Sequence, residues 1–279
     1  KELKRLSQDV PMRGAGCVGM FHTVPFNDCA APDGEMKRYT NVTPDAVRNI
    51  VRNHLQPRSA VQRIKDAYQR GVDLVFRDSA WKSARDYDLL NRRKEVEEFL
   101  GKQQLIVMEG AGRIDPLDLD EYMAHDGYAA LARVLTGMER EDVVGEIEHS
   151  ELRGRGGGGF PTGRKWRFVL DQDSDKKYVV INGDEGDPGA FMDRTLLEAF
   201  PHRIIEGVAI AAYAVGADEG YFYIRTEYPR ASQRIRQAIE QAEQAGYLGE
   251  DILGTGFNLK LHVRDGAGGS YTFVLAEAL

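Results

Sequence analysis

Two segments of this sequence combine residue types and spacing suited to holding an anionic, hydroxyl-bearing ligand. The first is Arg153-Gly154-Arg155-Gly156-Gly157-Gly158-Gly159-Phe160-Pro161-Thr162-Gly163-Arg164-Lys165. Glycines let a backbone turn sharply and bring its N–H groups close to a ligand, as phosphate-cradling loops require. Arg153, Arg155, Arg164, Lys165 and Arg167 add positive charge, with no acid among them. The run is not a Walker A sequence. Gly158 and Gly163 have the spacing, but Arg164 and Lys165 stand where Lys and Ser/Thr are needed. It also lacks the preceding buried strand of a dinucleotide fingerprint. A flexible surface linker and a single RGG-like nucleic-acid element remain open readings. Phe160-Pro161 stiffens the end of the loop, which a linker would not need.

The second segment is Asn182-Gly183-Asp184-Glu185-Gly186-Asp187-Pro188-Gly189, directly after the apolar run Tyr178–Ile181. Ligands of open α/β sheets bind at the carboxyl ends of strands. Carboxylates and an amide there can hydrogen-bond ring nitrogens or ribityl and ribose hydroxyls, or hold a metal. The competing reading is a capped turn leading into a helix near Ala190.

The surrounding pattern supplies elements to position these loops. Strands are predicted at Tyr178–Ile181, Tyr221–Ile224 and Leu259–Val263, with a further short strand near Leu105–Met108. Helices are predicted over 190–199 and 201–216. A long amphipathic helix over Tyr228–Gly246 presents Ile235, Ala238, Ile239 and Ala242 on one face. Three shorter helical patterns are separated by Asp115-Pro116, Asp126-Gly127 and Glu139–Asp142. Thr43-Pro44-Asp45 reads as the start of another helix carrying Val47, Ile50 and Val51. Alternating strands and helices predict an α/β fold.

Composition narrows the functional class. The chain has 279 residues, 42% hydrophobic and 29% charged, with a net charge of −7. That acidic balance argues against a general nucleic-acid binder, whose footprint is basic. No stretch approaches the roughly 18 uninterrupted apolar residues of a membrane span, and Lys1–Arg5 opens no signal-peptide core. A cytoplasmic location is expected. Two cysteines, Cys17 and Cys29, cannot fill the four-thiolate shell of an iron–sulfur cluster. The spacing of Cys17, His22 and Cys29 is unspecific, and no metal site is expected.

Arg153–Trp166, then Asn182–Gly189, then Gly254-Thr255-Gly256-Phe257, resembles the FMN-binding flavoprotein subunit of NADH dehydrogenases. That family includes subunits of NADH:quinone oxidoreductase and the diaphorase subunits of NAD-linked hydrogenases and formate dehydrogenases. Gly112–Pro116, Glu121-Tyr122 and Gly127-Tyr128 extend the similarity upstream. The resemblance implies an FMN-binding domain with a Rossmann-like sheet and helices over 104–279. It also implies a partial thioredoxin-like ferredoxin module over 1–55, carried by Gly16–Gly19 and Asn41–Pro44, and a connector over 56–103.

By the same resemblance, Gly154, Arg155, Gly156, Gly157 and Gly159 approach FMN, with Lys165 near its anionic end. Asn182, Asp184 and Glu185 bond the ribityl chain and isoalloxazine, and Tyr271 matches a family tyrosine near the cofactor. Phe160 and Phe168 stack on the NADH adenine, and Glu185 and Asp187 face its nicotinamide and ribose side. The implied activity is hydride transfer from NADH to FMN, followed by single-electron transfer to iron–sulfur subunits of a soluble redox complex. The protein's part is orientation and electrostatics, with no catalytic acid or base.

Some positions depart from the family pattern. Leu275 and Ala276 stand where paired glutamates are expected, and Phe21 takes a cluster-ligand position. The later cluster-bearing region is not represented, so iron–sulfur clusters are expected in partners or in a missing C-terminal region. These departures keep a non-catalytic scaffold or relay subunit as the alternative.

Overall fold

The computed structural model describes residues 27–30, 36–39, 102–111, 114–156, 158–186 and 190–266. The chain divides into two compact units. In the first, β1 (Asn27–Ala30) pairs antiparallel with β2 (Met36–Tyr39), Asn27 opposite Tyr39. The helix expected after Thr43, and the thioredoxin-like module as a whole, otherwise lie outside the described residues, as does nearly all of the 56–103 connector.

The second unit, from Met108 onward, holds the two candidate loops. Its centre is a parallel sheet of β3 (Tyr178–Gly183), β4 (Glu219–Ile224) and β5 (Lys260–Asp265), ordered β3-β4-β5. The register aligns Asn182, Tyr223 and Arg264, one step before the ends of all three strands. Three short helices precede the sheet: α1 (Leu119–Ala124), α2 (Ala129–Gly137) and α3 (Arg140–His149). Next comes α4 (Thr162–Leu170). Helices α5 (Met192–Ala199) and α6 (Pro201–Val215) then connect β3 to β4, and α7 (Pro229–Gln244) connects β4 to β5.

The core follows from side-chain periods. In β4, Gly220, Phe222 and Ile224 are buried while Glu219, Tyr221 and Tyr223 are partly exposed, the period of two of a half-covered sheet. Helix α7 buries Ala231, Ile235, Ala238, Ile239 and Ala242 along one stripe. Helix α6 buries Ile205, Val208, Ala209, Ala212 and Val215. Pro201 and Pro229 sit at the first turns of α6 and α7, where a missing N–H costs nothing. Helix α6 stops at Gly216, whose φ of +80° suits glycine, and the Ala217 N–H closes the end on the Ala212 carbonyl at 2.8 Å.

The expected strand at Leu105–Met108 is not formed. Residues 106–111 make a bend and turn, closed by the Ala111 N–H on the Met108 carbonyl at 3.0 Å. Gly110, at φ +82°, turns the chain before any pairing can extend. Apolar composition alone does not make a strand without a neighbour to satisfy its backbone.

Candidate functional site

The glycine-rich segment is a closed loop feeding a helix, shorter than its sequence implies. Its ends are tied where the Gly154 N–H meets the Phe160 carbonyl at 2.9 Å and the Thr162 N–H meets the Leu152 carbonyl at 2.8 Å. Helix α4 begins at Thr162, so Gly163, Arg164 and Lys165 are helical rather than part of the loop. Gly163 explains why. It is buried, and a Cβ there would lie 2.5 Å from the Glu148 backbone nitrogen, so glycine permits α4 to press against α3. The glycines of the tip differ: a Cβ at Gly156 or Gly158 would meet no atom of the described residues within 4 Å. Packing does not require them, and their backbone is open to an incoming group. Gly159 adopts φ +59°.

The charged and aromatic side chains of this segment are accessible. Arg155 donates from Nη1 to the Arg153 carbonyl at 2.7 Å, and Lys165 is exposed. Phe160 and Phe168 are about half exposed, their ring centroids 6.4 Å apart, and the Arg164 guanidinium sits 5.4 Å from the Phe168 ring. The two rings are tilted by 46° to one another, and each leaves aromatic surface exposed.

The acidic turn leaves the carboxyl end of β3. Asn182 Oδ1 accepts the Asp184 N–H at 3.0 Å, a turn-closing bond that leaves the Asn182 amide NH2 without a partner among the described residues. The Glu185 carboxylate accepts the N–H groups of Asp193 at 3.1 Å and Arg194 at 3.3 Å, capping the first turn of α5. The turn is therefore anchored to the helix that follows it. This proximity acts on Asp193: burial first, and the Glu185 charge second, push its carboxyl above the usual range.

Two residues that the sequence did not single out, Arg225 and Tyr228, also meet the turn. Arg225 directly follows β4 and donates from Nη1 to the Glu185 carbonyl. Its Nε and Nη2 fork onto the Glu227 carboxylate, both at 3.1 Å. Two guanidiniums approach the Tyr228 ring, Arg194 at 5.3 Å and Arg225 at 5.4 Å from its centroid. The only signal in the sequence was the position of Arg225 at a strand's carboxyl end. Gly157, Asp187 and Tyr271 lie outside the described residues.

Other motif residues serve the fold. Gly127 lets the backbone pass the Tyr122 ring, where a Cβ would lie 2.3 Å from a ring carbon. Tyr128, at φ +61°, starts α2, and its N–H donates to the buried Glu206 carboxylate at 3.0 Å. The Tyr122 hydroxyl donates to the same carboxylate at 2.5 Å. Phe257 packs edge-on against Tyr213, ring centroids 5.5 Å apart, and the Asp251 carboxylate holds the turn through the Gly256 N–H at 2.8 Å.

An open groove lined by Asp115, Leu117, Asp118, Arg234 and Gln241 shares no residue with either loop. Asp118 caps α1 through the Glu121 N–H at 2.9 Å, and Gln241 donates to the Leu117 carbonyl at 2.8 Å. Among the described residues, no helix is long and apolar enough to cross a membrane.

Residues 147–272 match the family model of the Nuo51 FMN-binding domain. The chain is 50% identical over 176 residues to the HndC subunit of the NADP-reducing hydrogenase of Solidesulfovibrio fructosivorans, covering 63% of this chain and 35% of that one. It is 48% identical over 150 residues to a subunit of the NADH-quinone oxidoreductase of Aquifex aeolicus, covering 54% and 35%. An NAD+-reducing NiFe hydrogenase in the H2-reduced state aligns with a TM-score of 0.47 at 26% identity, over 77% of this chain and 32% of that chain. The chain thus spans about a third of the length of the curated relatives it matches, 35% in both cases. Over residues 147–272 the chain is thus similar to the Nuo51 FMN-binding domain.

Proposed function

We propose that this chain is the flavin-bearing part of an NADH dehydrogenase of the diaphorase type, working in a soluble, cytoplasmic redox complex with iron–sulfur subunits. One observation carries the reading. A Cβ at Gly156 or Gly158, at the tip of the 153–161 loop, would meet no atom of the described residues within 4 Å, and the loop leads into a helix with basic residues in its first turn. Backbone N–H groups left open there, beside Arg155 and Lys165, suit a phosphate. In this reading Gly154, Gly156, Gly157 and Gly159 admit the FMN phosphate and ring by close backbone approach.

The acidic turn supplies complementary donors and acceptors. The Asn182 amide, the Asp184 carboxylate and the Glu185 carboxylate hydrogen-bond the ribityl chain and the isoalloxazine, with Tyr271 beside them. We take the start of α4 and the end of β3 as the two termini that meet one ligand. Phe160 and Phe168 stack on the adenine of NADH, while Glu185 and Asp187 orient its nicotinamide and ribose. When bound, FMN supplies a two-electron acceptor for hydride that can release its electrons one at a time. The residues orient and exclude water, and none needs to move a proton.

The 279-residue chain reconstituted with FMN tests the reading. Flavin fluorescence should be quenched on binding, and anaerobic NADH should bleach the flavin absorbance. No binding would overturn the proposal. Binding without bleaching would replace the dehydrogenase with a non-catalytic relay.

A further inference from the structure

The acidic turn is held from three directions, and only one of these comes from its own neighbourhood in sequence. Asn182 closes the turn locally, and Glu185 is anchored on the first turn of α5. The third hold crosses to the next strand. The Arg225 backbone N–H donates to the Gly183 carbonyl at 3.4 Å, carrying the β3–β4 ladder one step past its end. This places the guanidinium under the turn. Its Nη1 reaches the Glu185 carbonyl, and its Nε lies 4.0 Å from an Asp184 carboxylate oxygen. The Glu227 fork, with both contacts at 3.1 Å, and the Tyr228 ring at 5.4 Å leave it little freedom to rotate.

We propose that Arg225 is the positioning residue of this site, fixing the Glu185–Gly186 peptide through the Glu185 carbonyl so that Asn182, Asp184 and Glu185 face the ligand in one arrangement. The proposal rests on the flavin reading above. Physically, two adjacent carboxylates on a turn repel one another and spread its conformations. A cation beneath them offsets that repulsion, and its planar fork adds direction that a point charge lacks. The Arg225 side chain is only 16% exposed, so solvent screens this interaction weakly. Arg225 is not placed in contact with the ligand. It acts through the turn.

Three full-chain variants separate positioning from plain structural support: Arg225→Met, Arg225→Lys and Glu227→Gln. Arg225→Met should weaken FMN binding roughly tenfold or more, the scale of one charge-assisted hydrogen bond. At saturating FMN the visible circular dichroism of the bound flavin should change, because the turn presents its groups differently. Amide exchange should accelerate at 183–186. Arg225→Lys should recover part of the affinity. Glu227→Gln, which weakens the fork but keeps the Glu185 carbonyl contact, should lose less FMN affinity than Arg225→Met.

An Arg225→Met chain with lowered Tm but parental affinity, flavin dichroism and turn exchange would overturn the proposal. If Arg225→Met does not fold, Arg225→Gln is read by the same criteria. A parent chain that binds no FMN sinks the flavin reading alone. Exchange at 183–186 in the ligand-free chain still tests the clamp, and equal exchange in parent and Arg225→Met would end it.

Discussion

Glu206 and Tyr128 are joined across 78 residues of sequence: the Glu206 carboxylate on α6 accepts the Tyr128 backbone N–H at 3.0 Å. It also accepts the Leu131 N–H at 3.2 Å and the Tyr122 hydroxyl at 2.5 Å. One buried carboxylate thus satisfies the first turn of α2 and the side chain that packs beneath it. Burial first, and the Glu206 carboxylate second, hold the Tyr122 hydroxyl well above the usual tyrosine range, so it remains a donor. Glu206→Ala should destabilise the domain by about 3 kcal/mol or more, because several donors are orphaned together. Glu206→Gln, which keeps one acceptor oxygen, should cost less. Urea unfolding measures both.

His202 is buried beside this network. Its Nδ1 lies 3.0 Å from the Tyr128 hydroxyl and its Nε2 lies 3.1 Å from Gln241 Oε1. The neutral ring accepts from the tyrosine and donates to the amide. Burial lowers its pKa, and the Gln241 bond only partly opposes that. In the unfolded chain the ring binds a proton near its ordinary pKa of about 6.5. The unfolded state therefore binds more protons between that value and the lowered folded one. Stability should be fully present above about pH 6.5 and fall as pH drops toward the folded pKa. His202→Gln should lower stability at pH 7 and flatten this part of the profile. Tm measured from pH 7.5 to 5 checks it, and an equally steep slope in the variant would refute the assignment.

Gly163 and Gly156 belong to one glycine-rich run but should respond oppositely. Gly163→Ala drives a Cβ into the Glu148 backbone and should cost roughly 1–3 kcal/mol by overpacking. Gly156→Ala meets nothing among the described residues and should change stability by no more than about 0.5 kcal/mol. Gly156→Val should nonetheless weaken FMN binding by obstructing the backbone approach. Paired Tm and flavin titrations distinguish the two.

Phe160 and Phe168 are half exposed and contribute little to the core. Phe168→Ala should leave Tm and FMN affinity near parental values while raising the KM for NADH several-fold, the scale of one lost stacking partner. Steady-state kinetics with an artificial acceptor would show it. A change in FMN affinity without a change in KM would move Phe168 from the nucleotide side to the flavin side.

Much of the second unit was legible because its signals are local. The predicted helix over 201–216 is α6 at Pro201–Val215, and the strand predicted at Tyr221–Ile224 is β4, two residues longer. Proline at a first turn, glycine past a last turn and side chains at helical or strand period act within a few residues. The strand at Leu105–Met108 failed for the complementary reason: the chain bends and turns over 106–111, with Gly110 at φ +82°, and an apolar composition does not reveal that turn. Helix α4 was hidden because its first turn is glycine- and arginine-rich, and only the contact of Gly163 with α3 makes that turn favourable.

From the sequence alone came the two ligand-type loops, their order, the α/β alternation and the family they resemble. All of these are carried by residue type and spacing along one chain. The tertiary structure alone decided which glycine packs and which stays open. It also decided that Glu206 caps a distant helix, and that Arg225 reaches under the acidic turn to the Glu185 carbonyl. Those facts depend on which segments meet in space, and a contact between residues 40 positions apart leaves no mark on the local pattern of either.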